Sequence, residues 1–258
     1  MSAPAADAIR CADLSLLRTG ASDAGRVVEG VDLALPRGGA VAVLGGTGSG
    51  KSSLLAMLSG RADPNLVIDG GTAHVEGIDL RRPGRNRRRL LAYVGYLAQG
   101  SGAALDAQRT VGEIISEPIT SRDRKVNARA LAVRTASLLD EMELPLGAAM
   151  KFPYELSAGM RHRVAFARAL VLQPHILVAD DPLANLDIEV QHVFPEAILR
   201  RRADYGMSAL IATNDGELPG ALGAQRIVLR GGHVVARDAP GGLLWTPDVD
   251  VSQRIPVS

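Results

Sequence analysis

The sequence predicts an α/β fold with a mainly parallel core sheet, on three observations. Apolar strand-like runs alternate with segments of helical spacing along the chain. The run Ala40-Val41-Ala42-Val43-Leu44 is short, apolar and bounded by glycines, as a strand buried on both faces requires. A glycine-rich turn then leads directly from that strand into a helical segment.

In chain order, Ile9 to Leu17 and Val27 to Leu35 read as strands, and the turn Pro36-Arg37-Gly38-Gly39 precedes the run at Ala40. Lys51 to Leu58 has helical spacing and stops at Gly60. Val67 to Leu80 reads as a hairpin turning at Gly70-Gly71, and Leu90 to Leu97 as a strand. Arg109 to Leu144 reads as a set of helices, with Pro118 and Pro145 as breaks. Ser157 opens a helix running to about Leu172, followed by a buried strand from His175 to Ala179. A helix from Glu189 to Ala203, kinked at Phe194-Pro195, a strand from Ser208 to Thr213 and a strand pair from Arg226 to Arg237 complete the series. The expectation is one domain over 1–258, with a helical subdomain at about 100–172 inserted between core strands.

Composition narrows the function. With 47% hydrophobic residues and 3% aromatics, the core must be built on Leu, Val, Ile and Ala. A net charge of +1 gives no global attraction to nucleic acid. The single cysteine, Cys11, excludes an internal disulfide and stands apart from any zinc-type spacing. The first residues lack the basic and apolar regions of a signal peptide, and no apolar run approaches the ~20 residues of a membrane-spanning helix. The expectation is a soluble intracellular chain whose membrane role comes through a partner.

The segment Gly45-Gly46-Thr47-Gly48-Ser49-Gly50-Lys51-Ser52 fits the pattern G-x-x-x-x-G-K-[ST]. At this composition about 0.003 chance matches are expected, so coincidence is rejected. Glycines let backbone N–H groups turn inward at a helix N-terminus, which makes an anion cradle. Lys51 can reach phosphates as a point charge, Ser52 can hold Mg²⁺ by its hydroxyl, and Ser53 follows inside the same turn.

Further segments narrow "nucleotide" to a family. Leu156-Ser157-Ala158-Gly159-Met160 opens a helix, and His175 to Ala179 is an apolar strand that ends in Asp180-Asp181-Pro182. Two terminal carboxylates suit a Mg²⁺ ligand and a water-activating base. Tyr96-Leu97-Ala98-Gln99 ends another strand. Together, from about Ile9 to Ala239, these resemble the ATP-binding-cassette (ABC) ATPases. The resemblance implies ATP and Mg²⁺ as ligands, with Ser52, Gln99 and Asp180 at the metal. It implies Asp181 as catalytic base and Gln99 as the residue that senses metal and water and contacts membrane subunits. Ser157, Ala158, Gly159 and Met160 are implied to bind nucleotide in trans, across a pair of such domains, and Asn185-Leu186-Asp187 to be the D-loop. Thr110 to Pro118, Phe152 to Ser157 and Asp187 to Gln191 resemble the oligopeptide and dipeptide importers most.

Five positions, in four motifs, depart from the family pattern. Asp181 stands where glutamate is usual, one methylene shorter. Asn214, in Thr213-Asn214-Asp215, stands where a switch histidine is usual; it donates a hydrogen bond but carries no cationic form. Ala158 and Met160 replace glycine and glutamine in the signature. Arg18 occupies the place of the aromatic residue expected to stack on adenine, where its planar guanidinium can stack instead. Binding residues survive while hydrolytic ones do not. This implies a site that binds ATP and turns it over poorly, within a heterodimer of unequal sites carried by transmembrane permease subunits, with a substrate-binding protein, at the cytoplasmic side of the membrane.

A non-hydrolysing regulatory subunit, a fully active homodimeric transport ATPase, and a cassette of DNA repair or translation are the other readings. The arginines at 81, 82, 85, 87, 88 and 89 read as a solvated loop and helix, with a nucleic-acid or lipid-headgroup patch as the alternative, and His162 reads as a surface or capping residue. Asp13, Asp69 and His74 form no constellation.

Overall fold

The computed structural model describes residues 7–20, 24–184, 186–239 and 242–245. Two sheets carry the fold. The smaller is antiparallel and joins β1 (Ile9–Arg18), β2 (Gly25–Leu35), β4 (Leu66–Val75) and β5 (Ile78–Asp79) in the order β2-β1-β4-β5. The larger has seven strands in the order β11-β10-β9-β3-β8-β7-β6. Its strands β3 (Ala40–Leu44), β6 (Val94–Leu97), β7 (Ile176–Asp180), β8 (Ser208–Ala212) and β9 (Gln225–Arg230) pair in parallel. The antiparallel strands β10 (His233–Ala239) and β11 (Gly242–Trp245) extend one edge.

Strands β3, β7 and β8 are buried on both faces, and their period-2 alternation feeds two cores. Val41, Val43, Ile176, Val178, Leu210 and Ala212 pack with α1 (Lys51–Leu58) and the smaller sheet. Ala40, Leu177, Ala179, Ala209 and Ile211 face the opposite way. They pack with α3 (Val111–Thr120), α4 (Ala128–Glu141), α5 (Ala158–Leu170) and α6 (Val193–Tyr205). Two short helices, α2 (Arg87–Tyr93) and α7 (Leu218–Ala221), lie outside this layer order.

Side-chain caps start α3, α4 and α5. Thr110 and Glu113 form a reciprocal capping box on α3. Asn127 accepts from Ala130 N–H at α4, and Ser157 accepts from Met160 N–H at α5.

Several expectations are corrected. The chain does not turn at Gly70-Gly71: β4 runs straight through and the turn falls between Val75 and Ile78. The glycine pair instead absorbs a register shift where β4 crosses the bulged part of β1. Gly71 has φ +64°, and a Cβ there would lie 2.1 Å from the Asp13 carbonyl oxygen. Residues Leu90 to Tyr93 are helical, not part of a strand. Pro118 lies inside α3, in its last turn, where a missing N–H costs one bond and two further residues stay helical. Pro195 falls in the first turn of α6, where a backbone N–H would have no partner within the helix, so the lack of one costs no bond and the residue marks a start and not a kink. The strand β11 was not foreseen.

Candidate functional site

The turn after β3 delivers Thr47 to Gly50 to the N-terminus of α1, and Lys51, Ser52 and Ser53 form its first turn. Gly50 adopts φ +101°, and a Cβ there would meet the Val27 carbonyl oxygen at 2.5 Å, so the loop passes against β2 only because this residue is glycine. The turn between β9 and β10 holds the loop from the other side. Gly232 N–H donates to Ser49 O (3.1 Å), and Glu29 N–H donates to Gly232 O (2.9 Å).

The C-terminal ends of three parallel strands open onto this loop. Asp180 closes β7 and Asp181 follows it; Asn214 lies two residues beyond β8, and Gln99 two beyond β6. Asp181 N–H donates to Ala212 O (2.8 Å) and Thr213 N–H to Val43 O (3.1 Å), which holds the strand ends level. All four side chains line one cavity of about 480 Å³ with Thr47 to Ser53. Position at the carboxyl ends of parallel strands is where an open α/β sheet places its ligands.

The electrostatics favour an anion. Lys51 Nζ donates to the carbonyls of Gly45 and Gly46, the latter at 3.0 Å. Burial pushes its pKa down, and Asp180 and Asp181 push it back up. Burial raises the Asp180 carboxyl, with Asp181 repulsion adding to the rise; the Ser52 hydroxyl, hydrogen-bonded to it, and Lys51 oppose this. The Ser49 hydroxyl is buried without a hydrogen-bond partner.

A triphosphate with Mg²⁺ fits these residues. The cradle is glycine-lined, backed by a helix N-terminus and supplied with an ammonium that touches only carbonyls. Among the described residues no group of three or more His, Cys, Asp or Glu could hold a metal alone. Mg²⁺ is held by one or two protein oxygens together with phosphate oxygens. Ser52 and Asp180, already in contact, are the pair that would supply them.

The structure brings together Thr47, Gly48, Ser49, Gly50, Lys51, Ser52, Ser53, Gln99, Asp180, Asp181 and Asn214. Gly45 and Gly46 contribute through the carbonyls that Lys51 contacts. Arg18 does not line the cavity; its guanidinium donates to Ser53 Oγ (3.3 Å) from beside the loop. Ser157, Ala158, Gly159 and Met160 do not line it either, and Ser157 and Ala158 are exposed at the start of α5. Asp187 is exposed at the start of a short 3₁₀ turn, and Asn185 lies outside the described residues.

Sequence reasoning missed Arg26, Val27, Gly231 and Gly232, which also line the cavity. Only the doubled glycine between two strands carried a signal. Arg26 arrives through the pairing of β2, where Asp69 and Glu29 hold its guanidinium. Asp69 therefore has a partner the sequence did not show. His162 is buried, not a surface residue. It hydrogen-bonds the Pro182 backbone, its Nε2 lacks a partner, and burial lowers its pKa.

A glycine-rich loop at a helix N-terminus, facing two carboxylates at the end of a neighbouring parallel strand, defines a P-loop NTPase. Residues 28–184 match the family model described as ABC transporter. The chain belongs to the ABC transporter family as an ATP-binding cassette. It is 29% identical over 232 residues to the peptidoglycan transport ATP-binding protein YejF of Agrobacterium fabrum, covering 89% of this chain and 41% of that protein. It is 31% identical over 231 residues to the oligopeptide transport ATP-binding protein OppD of Mycobacterium tuberculosis, covering 89% and 37%. Against the nickel import ATP-binding protein NikE of Pseudomonas putida it is 32% identical over 213 residues, covering 81% and 76%. The chain thus spans about two fifths of the length of the first two relatives. A dimeric bacterial ABC transporter cassette superposes with a TM-score of 0.82 at 22% identity, covering 91% of this chain and 99% of that one, which shows the fold.

Proposed function

We propose that this chain is the ATP-binding subunit of an ABC importer of the peptide type, and that its own site binds ATP with Mg²⁺ but hydrolyses it poorly. The observation that carries the reading is the split within the site. Lys51, Ser52 and Asp180, which bind, sit together in the cavity, while the positions that hydrolyse hold the shorter Asp181 and an exposed Asn214.

In this reading the amides of Thr47 to Lys51 and the Lys51 ammonium hold the phosphates, and Ser52 with Asp180 holds the metal. The metal supplies charge neutralisation at the phosphates. Asp181 orients the attacking water from a carboxylate one methylene short of glutamate. A displacement of ~1 Å in a reacting group can cost on the order of a hundredfold in rate. Asn214 offers a hydrogen bond without a titratable proton.

Ser157, Ala158, Gly159 and Met160 would serve a partner's nucleotide. Their exposed place at the N-terminus of α5, outside this chain's own cavity, supports action across a pair of cassettes. A different partner chain with an intact site fits the loss here, and Gln99 would contact the permease. The peptide-type assignment rests on the oligopeptide relative; the nickel relative marks the breadth of cargo in related importers. No helix among the described residues is long and apolar enough to cross a membrane, which fits attachment through permease subunits at the cytoplasmic face, fed by a substrate-binding protein.

The test is Mg-ATP binding and turnover by the purified chain, alone and with its co-purifying partners. We expect binding without appreciable turnover alone, and turnover in the complex. The double substitution Asp181→Glu with Asn214→His is expected to raise turnover at least about tenfold. Brisk hydrolysis by the chain alone makes it an ordinary homodimeric cassette. No turnover in the complex is expected after removal of the partner's carboxylate at the position equivalent to Asp180; continued turnover contradicts the unequal sites.

A further inference from the structure

The arginine run between β5 and β6 has no role in nucleotide binding, yet it is the most concentrated charge in the molecule. Arg81, Arg82, Arg85, Arg87, Arg88 and Arg89 are all exposed, and no carboxylate occurs in the sequence between Asp79 and Asp106. The whole chain is +1, so everything outside this run is net negative. The field is therefore local to one edge.

Surface arginines of a soluble domain usually find carboxylates nearby, as Arg26, Arg37 and Arg226 do here. These do not. Arg81 donates to the Gly71 carbonyl (3.2 Å), and Arg89 donates to Tyr93 Oη (3.1 Å) with its guanidinium 5.7 Å from that ring centre. The guanidiniums of Arg82, Arg85, Arg87 and Arg88 make no hydrogen bond or ion pair among the described residues.

The positive edge continues past the end of α2. Arg61 and Arg122 both donate to the Leu91 carbonyl, at 3.4 and 3.1 Å. With Arg168 they line a cavity of about 340 Å³, where Glu117 is the one carboxylate and is already bound to Arg168 (2.9 Å). Burial, together with repulsion from Arg168 and Arg122, pushes the Arg61 pKa down to about 10, as expected where cations outnumber anions. Ala98 and Ser101, on either side of Gln99, line the same cavity.

We propose that this arginine edge is a contact for anionic phospholipid headgroups, holding the subunit against the bilayer beside its permease. The inference rests on the proposed function, which places the Gln99 loop, and hence this side of the molecule, towards the membrane. Exposed guanidiniums without carboxylate partners, spread over one loop and the first turn of α2, suit the many phosphates of a headgroup layer better than one discrete anion, and each fork matches a phosphodiester bidentately. A nucleic-acid face would extend positive charge over a broader surface, whereas this chain is negative elsewhere. Each arginine near an anionic membrane surface contributes about a fivefold gain in partitioning.

The test uses the full chain without permease. Co-sedimentation is compared on vesicles of phosphatidylcholine alone and on vesicles of phosphatidylcholine with phosphatidylglycerol, at low salt and at ~1 M salt, where the screening length falls to about 3 Å. We expect binding to the anionic vesicles only, and loss of it in high salt. The triple substitution Arg82→Gln, Arg85→Gln, Arg88→Gln is expected to weaken it about fivefold per arginine, with Mg-ATP binding unchanged as the check on folding. Equal partitioning to both vesicles, or a triple variant that binds like the parent, overturns the proposal. Tighter retention by an RNA oligonucleotide than by anionic vesicles overturns it in favour of a nucleic-acid face. Loss of the permease from the triple variant, with no vesicle binding by the parent, overturns it in favour of protein carboxylates. Vesicle binding by a chain that fails to bind Mg-ATP separates this inference from the function it rests on.

Discussion

Asp180 shows what the site costs the fold. It is 3% exposed at the end of β7, and burial raises its pKa above the ordinary 3.8. An acid with a raised folded pKa binds its proton more tightly in the folded chain than in the unfolded one. The ionised form therefore opposes folding: stability is highest below the unfolded value and falls as pH rises from about 4 through the folded pKa. Asp180→Asn removes the charge, keeps the size and leaves Ser52 a partner. In the absence of nucleotide it is expected to raise the melting temperature at neutral pH by about 2–4 °C, equivalent to ~1 kcal/mol in a chain of this size. On the proposed function the same substitution is expected to weaken Mg²⁺-dependent ATP binding severely, because the oxygen offered to the metal loses its negative charge. Thermal scans across pH with and without Mg-ATP check both halves, and a lower melting temperature in the variant without nucleotide contradicts the argument.

At the level of elements, local signals placed what local chemistry dictates. Ala40–Leu44 and Lys51–Leu58 agree with the sequence to the residue, because an apolar strand and a helix meet at a glycine loop with strict requirements. Part of the cavity lining was legible for the same reason: Lys51 and Ser52 open the helix after the glycine loop, and Asp180 and Gln99 lie at or just past strand ends. The misreadings arose where distant pairing decides. Gly70-Gly71 looks like a turn, yet β1 pairs along both sides of it and turns it into a bulge. Strand β11 is largely exposed and lacks alternation, so nothing local marked it. Arg26 reaches the cavity only because β2 lies along the phosphate loop. The bulge makes a specific prediction. A Cβ at Gly71 would meet the carbonyl oxygens of Asp13 at 2.1 Å and Ala12 at 2.3 Å, both backbone atoms that cannot swing aside. At Gly70 the nearest atom is Ser15 Cβ at 3.3 Å. Gly71→Ala is expected to destabilise the chain by at least ~2 kcal/mol, and Gly70→Ala by less than half of that. Chemical denaturation of the two variants reads the difference, and equal losses would show that β4 does not carry the bulge.

Across the whole molecule, the expectation of one domain with an inserted helical part turns on how that part is held. The helices α3, α4 and α5 do not enclose a core of their own. Ile114, Leu138, Val164 and Phe166 belong to the same buried cluster as Leu177, Ala209 and Ile211 of the sheet and Phe194 and Ile198 of α6. Phe166 of α5 and Phe194 of α6 lie with ring centres 4.6 Å apart. A buried ion pair spans the same junction: Arg201 of α6 donates to both carboxylate oxygens of Glu141 at the end of α4, with side chains 5% and 11% exposed. Arg134, itself reaching the carbonyls of Leu170 and Val171, adds a second cation beside it. Glu141 is thus a carboxylate that buried cations depend on. Glu141→Gln leaves Arg201 desolvated without its counter-charge, a loss expected to reach ~3 kcal/mol or more. Because the helices share the sheet's core, this loss belongs to the whole chain. Calorimetry is expected to show one transition in the parent and one, shifted down by roughly 6–12 °C, in the variant. If the helical part were an independent unit, the variant would instead melt in two steps, with the upper step at the parent's temperature and the sheet's share of the enthalpy. A single shifted transition therefore ties the exposed start of α5, where Ser157 lies, to the same cooperative unit as the cavity that holds Lys51 and Asp180. Motion between the two would then be a rearrangement of packed surfaces and not local unfolding.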